Sequence, residues 1–169
     1  MAKPQLDLMN NYVMKKLIKI EYTEYNHWNQ LDSNDVELVN KAHEAMNSAY
    51  APYSNFSVGS SLRMNDNSII CGNNQENIAY PSGLCAERVA LFYAGANFPN
   101  LIINKICIVA KGDLISIDSI LSPCGGCRQV MAESENRQNK PIEVILVSQN
   151  NRVLVFESVL DLIPLAFNS

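Results

Sequence analysis

The chain has 169 residues, 47% of them apolar and 18% charged, with a net charge of −4 at pH 7. That length holds one domain with a sizeable core, and the acidic balance counts against long nucleic-acid polymers as partners, since a basic face for phosphates is not the default. No stretch approaches the ~18 apolar residues of a membrane span. The opening "MAKPQLDLMNNYVMKK" lacks an apolar signal core, so a cytoplasmic location is expected. Thiols stay reduced there, and the odd count of five cysteines points to metal or catalysis rather than disulfides.

In chain order, the first ~15 residues are polar and loosely held. "KLIKIEYTEY" (16–25) alternates as a strand, and Asp32, Ser33 and Asn34 offer caps for a helix over 35–50. Pro52 and Ser54 end it. Strands are predicted at 56–64 and 68–72 around an "NDN" turn. An Ala- and Leu-rich helix follows at 85–97, an apolar strand at 105–110, and a helix beginning at "CGGC" over 124–136. Two more strands (142–148 and 152–156) and a short helix ending at Pro164 complete the chain. Alternating strands and helices predict an α/β fold, and the early hairpin makes its central sheet mixed.

Two segments carry chemistry. In "SPCGGCRQV" (122–130), Cys124 and Cys127 bracket the first turn of a helix, on one side of it, with glycines between them that let the backbone bend. Cys85 opens the helix of "GLCAERVA". Helix N-termini favour thiolate over thiol, and two of them aiming three thiolates at one point suit Zn²⁺. Three protein ligands leave a fourth position for water, and Glu87, two residues after Cys85, is placed to move that water's proton. Three thiolates on Zn²⁺ leave a net charge of −1, which a neighbouring arginine would offset. Arg88 and Arg128 both qualify by position, and Arg88 is favoured. Taken alone, Cys124 and Cys127 also fit a redox pair, or a closed structural site completed by Cys71 or Cys107. His27 and His43 have no metal-like spacing and read as packed or solvent-touching side chains.

"CAER" followed by "SPCGGCRQV" resembles the zinc-dependent cytidine deaminases in their small, three-cysteine, homotetrameric form. "AYAPYSNFSVG" (49–59), "NNQENIAYPSGLCAERVALF" (73–92), "SPCGGCRQVMAE" (122–133) and "LIPLAF" (162–167) are similar to that family's blocks in its order. The resemblance implies a three-layer α/β/α fold with a mixed central sheet and a catalytic domain over 31–169; residues 1–30 lie outside it as an N-terminal extension, to which the alternation adds a strand. It implies one Zn²⁺ per subunit on Cys85, Cys124 and Cys127. Glu87 would be the proton shuttle of a hydrolysis in which a zinc-activated water attacks C4 of cytosine. Asn74 and Glu76 would hold the ribose hydroxyls, Phe56 would pack on the pyrimidine, and the Ala86 backbone would contact the base edge. Phe167 would reach a neighbouring subunit's site. The implied reaction turns cytidine or 2′-deoxycytidine into the uridine counterpart and ammonia, as in pyrimidine salvage. The competing functions are a deaminase of a modified cytosine nucleoside of the blasticidin S type, an editor of polynucleotides, and a non-catalytic zinc-stabilised binding module.

Overall fold

A computed structural model describes residues 14–167. Six strands form one sheet: β1 (Thr23–Tyr25), β2 (Phe56–Met64), β3 (Ile69–Asn73), β4 (Ile103–Gly112), β5 (Glu143–Val147) and β6 (Val153–Phe156). Their order across the sheet is β1-β6-β5-β4-β2-β3. Only β4 and β5 run parallel, so the sheet is mixed as expected. Three helices cover it: α1 (Ser33–Met46), α2 (Ala86–Asn97) and α3 (Gly125–Gln138).

The layers follow from strand alternation, which sends successive side chains to opposite faces. Leu62, Ile106, Ile108, Val144 and Leu146 point to one face and pack with Ala90, Leu91, Met131 and Ala132 of α2 and α3. Cys107, Val109, Ile145 and Val147 point to the other and pack with Leu38, Val39, Ala42 and Met46 of α1. This is the α/β/α sandwich that the sequence implies. At two points helix and sheet approach too closely for a side chain. A Cβ on Gly59 would lie 2.0 Å from the Ala42 carbonyl, and one on Gly72 would lie 2.6 Å from the Ala86 carbonyl. The second contact seats the start of α2 directly on β3.

Several boundaries differ from the sequence reading. The strand expected over 16–25 is confined to Thr23–Tyr25, because β6 is only four residues long and its pairing ends at Thr23↔Val155. Helix α1 starts on the Asp32 cap, whose side chain accepts from the Asn34 and Asp35 amides, but stops at Met46 rather than at residue 50. The chain is drawn away there: the Tyr50 amide donates to the Asn74 carbonyl at 2.9 Å, and the Tyr50 carbonyl accepts from the Glu76 amide at 2.8 Å. The helix expected before Pro164 is one 3₁₀ turn, Val159–Leu162, capped by Ser158. Gly125 and Gly126 make no tight bend. Both are ordinary helical residues of α3 with open space where a Cβ would sit.

The Gly59 contact gives a direct test of the α1 layer. Gly59→Ala forces α1 off the sheet and is expected to cost about 1–3 kcal/mol, read as a lower midpoint in thermal or urea unfolding. An unchanged midpoint would mean that α1 is not held at this distance.

Candidate active site

Cys85 is the N-cap of α2 and Cys124 the N-cap of α3, and neither helix start has a side-chain cap hydrogen bond. Cys127 lies within the first turn of α3 and is fully buried. The three Sγ atoms lie within 4.8 Å of one another. Zn–S bonds of about 2.3 Å in a tetrahedron put sulfurs about 3.8 Å apart, so the cluster needs only a small contraction to take the ion. Among the described residues no fourth His, Cys, Asp or Glu joins it. A closed structural site is therefore not formed there, and the donor set fits zinc with one open position.

Charge is arranged around the same three sulfurs. Arg88, one turn into α2, places Nη2 3.7 Å from the Cys85 sulfur. The Cys127 thiol, hydrogen-bonded to Cys85, and then Arg88 bring Cys85 down to about 5 against the opposing effect of burial. Cys127 is pushed up by that same hydrogen bond, by burial and by the Glu87 charge. Glu87 is 4% exposed, and burial, with the Cys85 charge adding to it, raises its carboxyl above the usual carboxylate range. Arg128 is occupied elsewhere: Nε donates to the Pro123 carbonyl, Nη1 to the Leu162 carbonyl and Nη2 to Ser122 Oγ. Of the two arginines, it is Arg88 that sits against a thiol.

A cleft of about 540 Å³ opens beside Cys85 and Arg88, walled by Tyr53, Ser54, Asn74, Glu76, Ile78 and Tyr80 among others. Asn74 is buried, its Oδ1 accepting from the Val58 amide and its Nδ2 donating to the Phe56 carbonyl, which locks the turn after β3 onto β2. Glu76 accepts from the Tyr53 and Ser54 amides and from the Ser54 hydroxyl, and these bonds, the hydroxyl first, lower its carboxyl. Asn74 keeps one N–H and Glu76 keeps lone pairs for a further partner. Ala86 is fully buried at the first position of α2. Phe56 lies in the core of the α2/α3 layer, and the cleft walls do not include it. Phe167 is 87% exposed, its carbonyl accepting from Gln129 Nε2 on α3, beside a groove between α2 and α3. The sequence reading assigned no role to Tyr53, Ser54, Ile78 or Tyr80. Their place in the blocks flanking Asn74 and Glu76 was the available signal.

The remaining cysteines and histidines stand apart from the cluster. Cys107 is fully buried, and desolvation pushes its thiol well up. Cys71 is exposed, with its sulfur 3.8 Å from the Lys41 carbonyl. His27 caps the 3₁₀ turn at Trp28–Gln30, and half-buried His43 packs against Trp28.

The family model of the cytidine and deoxycytidylate deaminase zinc-binding region matches residues 32–154. The chain belongs to this family. It is 43% identical over 96 residues to a cytidine deaminase of Halalkalibacterium halodurans, covering 57% of this chain and 68% of that relative. The fold is similar to the crystal structure of a cytidine deaminase from Burkholderia pseudomallei, with a TM-score of 0.67, 40% identity, and coverage of 78% of this chain and 98% of that one. A cytidine deaminase structure from Mycobacterium tuberculosis matches with a TM-score of 0.62 and 28% identity, over 82% of this chain and 100% of that one. The chain is accordingly a zinc-dependent cytidine deaminase, and its three-cysteine cluster is able to hold a metal ion.

Two measurements follow from the charge arrangement. Arg88→Ala is expected to weaken zinc binding by about 10–100-fold in chelator competition, with Arg88→Lys in between. In metal-free protein, thiolate absorbance should fade with a midpoint near pH 5. That value lies below the unfolded one, so the stability Cys85 contributes is present above the unfolded pKa and drains as pH falls through about 5. A midpoint at the ordinary cysteine value would show that the thiols do not share a hydrogen bond.

Proposed function

We propose that the protein hydrolyses the 4-amino group of cytidine and 2′-deoxycytidine, giving uridine or 2′-deoxyuridine and ammonia. The observation that carries this reading is the convergence of three thiols at two helix starts, with a buried Glu87 one step along α2 and a cleft opening at Cys85. Zinc, when bound, supplies the Lewis acidity that makes water a nucleophile near neutral pH. Glu87 would take one proton from that water and give it to the ring nitrogen, then carry the second proton, from the hydroxyl now on C4, to the 4-amino group, which leaves as ammonia as the C4 carbonyl forms. Its burial suits this work, because a raised pKa lets the carboxyl hold a proton between the two transfers.

The cleft's composition favours a nucleoside over a nucleotide. Among the described residues its walls carry one cation, Arg88, and that side chain is turned to the Cys85 sulfur. A phosphate would meet no unengaged positive charge, and it would lie near the Glu76 carboxylate. The residual N–H of Asn74 and the lone pairs of Glu76 suit a sugar diol, which needs a donor and an acceptor. Cleft volume falls within the ~300–1,000 Å³ usual for small-molecule sites.

Assembly as a homotetramer belongs to the same reading. Phe167 is tethered through its carbonyl alone, leaving its ring largely uncovered by its own chain. A ring in that position is supplied to a neighbouring copy's cleft. A cytoplasmic setting, where thiols stay reduced, keeps the three ligands available.

The test is loss of the cytosine absorbance band on mixing zinc-replete protein with cytidine, 2′-deoxycytidine and deoxycytidylate. Both nucleosides should turn over and the nucleotide far less. Glu87→Gln should retain zinc while kcat falls by about 10²–10⁴-fold. No loss of the band with either nucleoside would overturn the assignment. Phe167→Ala is expected to raise KM more than it lowers kcat, and light scattering on the wild type should report four chains.

A further inference from the structure

The family match begins at residue 32, so β1 and the chain before it lie outside it. This segment leaves an unusual edge. Before Thr23, residues 14–22 join no ladder, and among the described residues they make no backbone hydrogen bond, though Lys19–Tyr22 line a cleft with Val155, Glu157 and Asp161. Met14, Leu17, Ile18, Ile20 and Tyr22 are all exposed. An uncovered, apolar edge is a template for pairing with another strand.

The sequence of that edge is complementary to itself. Antiparallel pairing centred on Ile20 sets Lys19 opposite Glu21, Ile18 opposite Tyr22, Leu17 opposite Thr23 and Lys16 opposite Glu24. Every charge meets its opposite, and Ile20 meets its own copy. Moving the centre to Lys19 would set lysine against lysine, and moving it to Glu21 would set glutamate against glutamate, which is unfavourable for directly opposed residues. The faces also agree with the sheet. Tyr22 packs on Phe156 of the α2/α3 layer with ring centroids 5.4 Å apart, while Tyr25 packs toward the α1 layer. Even-numbered Ile18 and Ile20 therefore join the Tyr22 face. Lys19 and Glu21 share the other, where they already form an ion pair.

We propose that residues 16–24 pair antiparallel with the same residues of a second copy about a two-fold axis at Ile20, joining two six-stranded sheets into one through β1. Such a contact is isologous, so each edge is closed by one partner edge. It uses none of the residues of the thiol cluster or the cleft and is independent of the proposed deamination.

Cysteine cross-linking reads the register directly. Residues directly opposed in an antiparallel pair have Cα atoms about 4.5–5.5 Å apart, within disulfide reach. In full-length, zinc-loaded protein carrying Cys71→Ser, Ile20→Cys should form an intermolecular disulfide roughly tenfold faster than Leu17→Cys, whose copies would lie about 20 Å apart in this register. Adding Lys19→Glu should slow the Ile20→Cys reaction by a similar factor, and adding Glu21→Lys to that should restore it. Equal rates at positions 17 and 20, or no cross-link at either, would overturn the pairing. Slowing by Lys19→Glu that Glu21→Lys fails to reverse would overturn the register.

Discussion

Everything chemical in this protein depends on two helix N-termini meeting at one point. Three thiols within 4.8 Å would be an unfavourable concentration of incipient charge anywhere else on the chain. Here each lies at or just inside a helix start, where free amides and the positive end of the dipole face the sulfurs. Arg88 adds a full charge to the same spot. The fold secures the meeting from below. Gly72 lets α2 sit directly on β3, Glu135 ties the far part of α3 to the Ile142 and Val159 amides, and Arg128 ties its near end to the Ser122–Pro123 approach.

The cleft is a second product of local bonding. Tyr50 exchanges backbone hydrogen bonds with Asn74 and Glu76, which carries the end of α1 across to the segment after β3. Asn74 then holds β2, and Glu76 holds the Tyr53–Ser54 turn. These two polar side chains organise the wall before any ligand arrives. A sugar approaching them meets groups whose positions are already set, so little ordering remains to be done on binding.

The chain's pattern was informative where local signals were strong. The Asp32 cap, the strand alternation in 56–64 and 142–148, and the cysteines at helix starts all appear where the residues imply them. What escaped the sequence was set by neighbours distant along the chain. α1 ends early because the 74–76 segment draws Tyr50 away, and the first strand is short because β6 gives it only three partners.

The distribution of the ligands has a thermodynamic meaning beyond catalysis. Cys85 belongs to one helix, and Cys124 and Cys127 to another; β4 and the whole 113–123 connection lie between them. An ion shared by all three therefore closes a long loop of chain, as a covalent bridge would, and removes conformations from the unfolded ensemble. In a reducing compartment, where a disulfide would not persist, the protein gains a cross-link whose presence follows the supply of free zinc. Folding and metal status then become a single equilibrium, and chelation loosens the architecture together with the active centre.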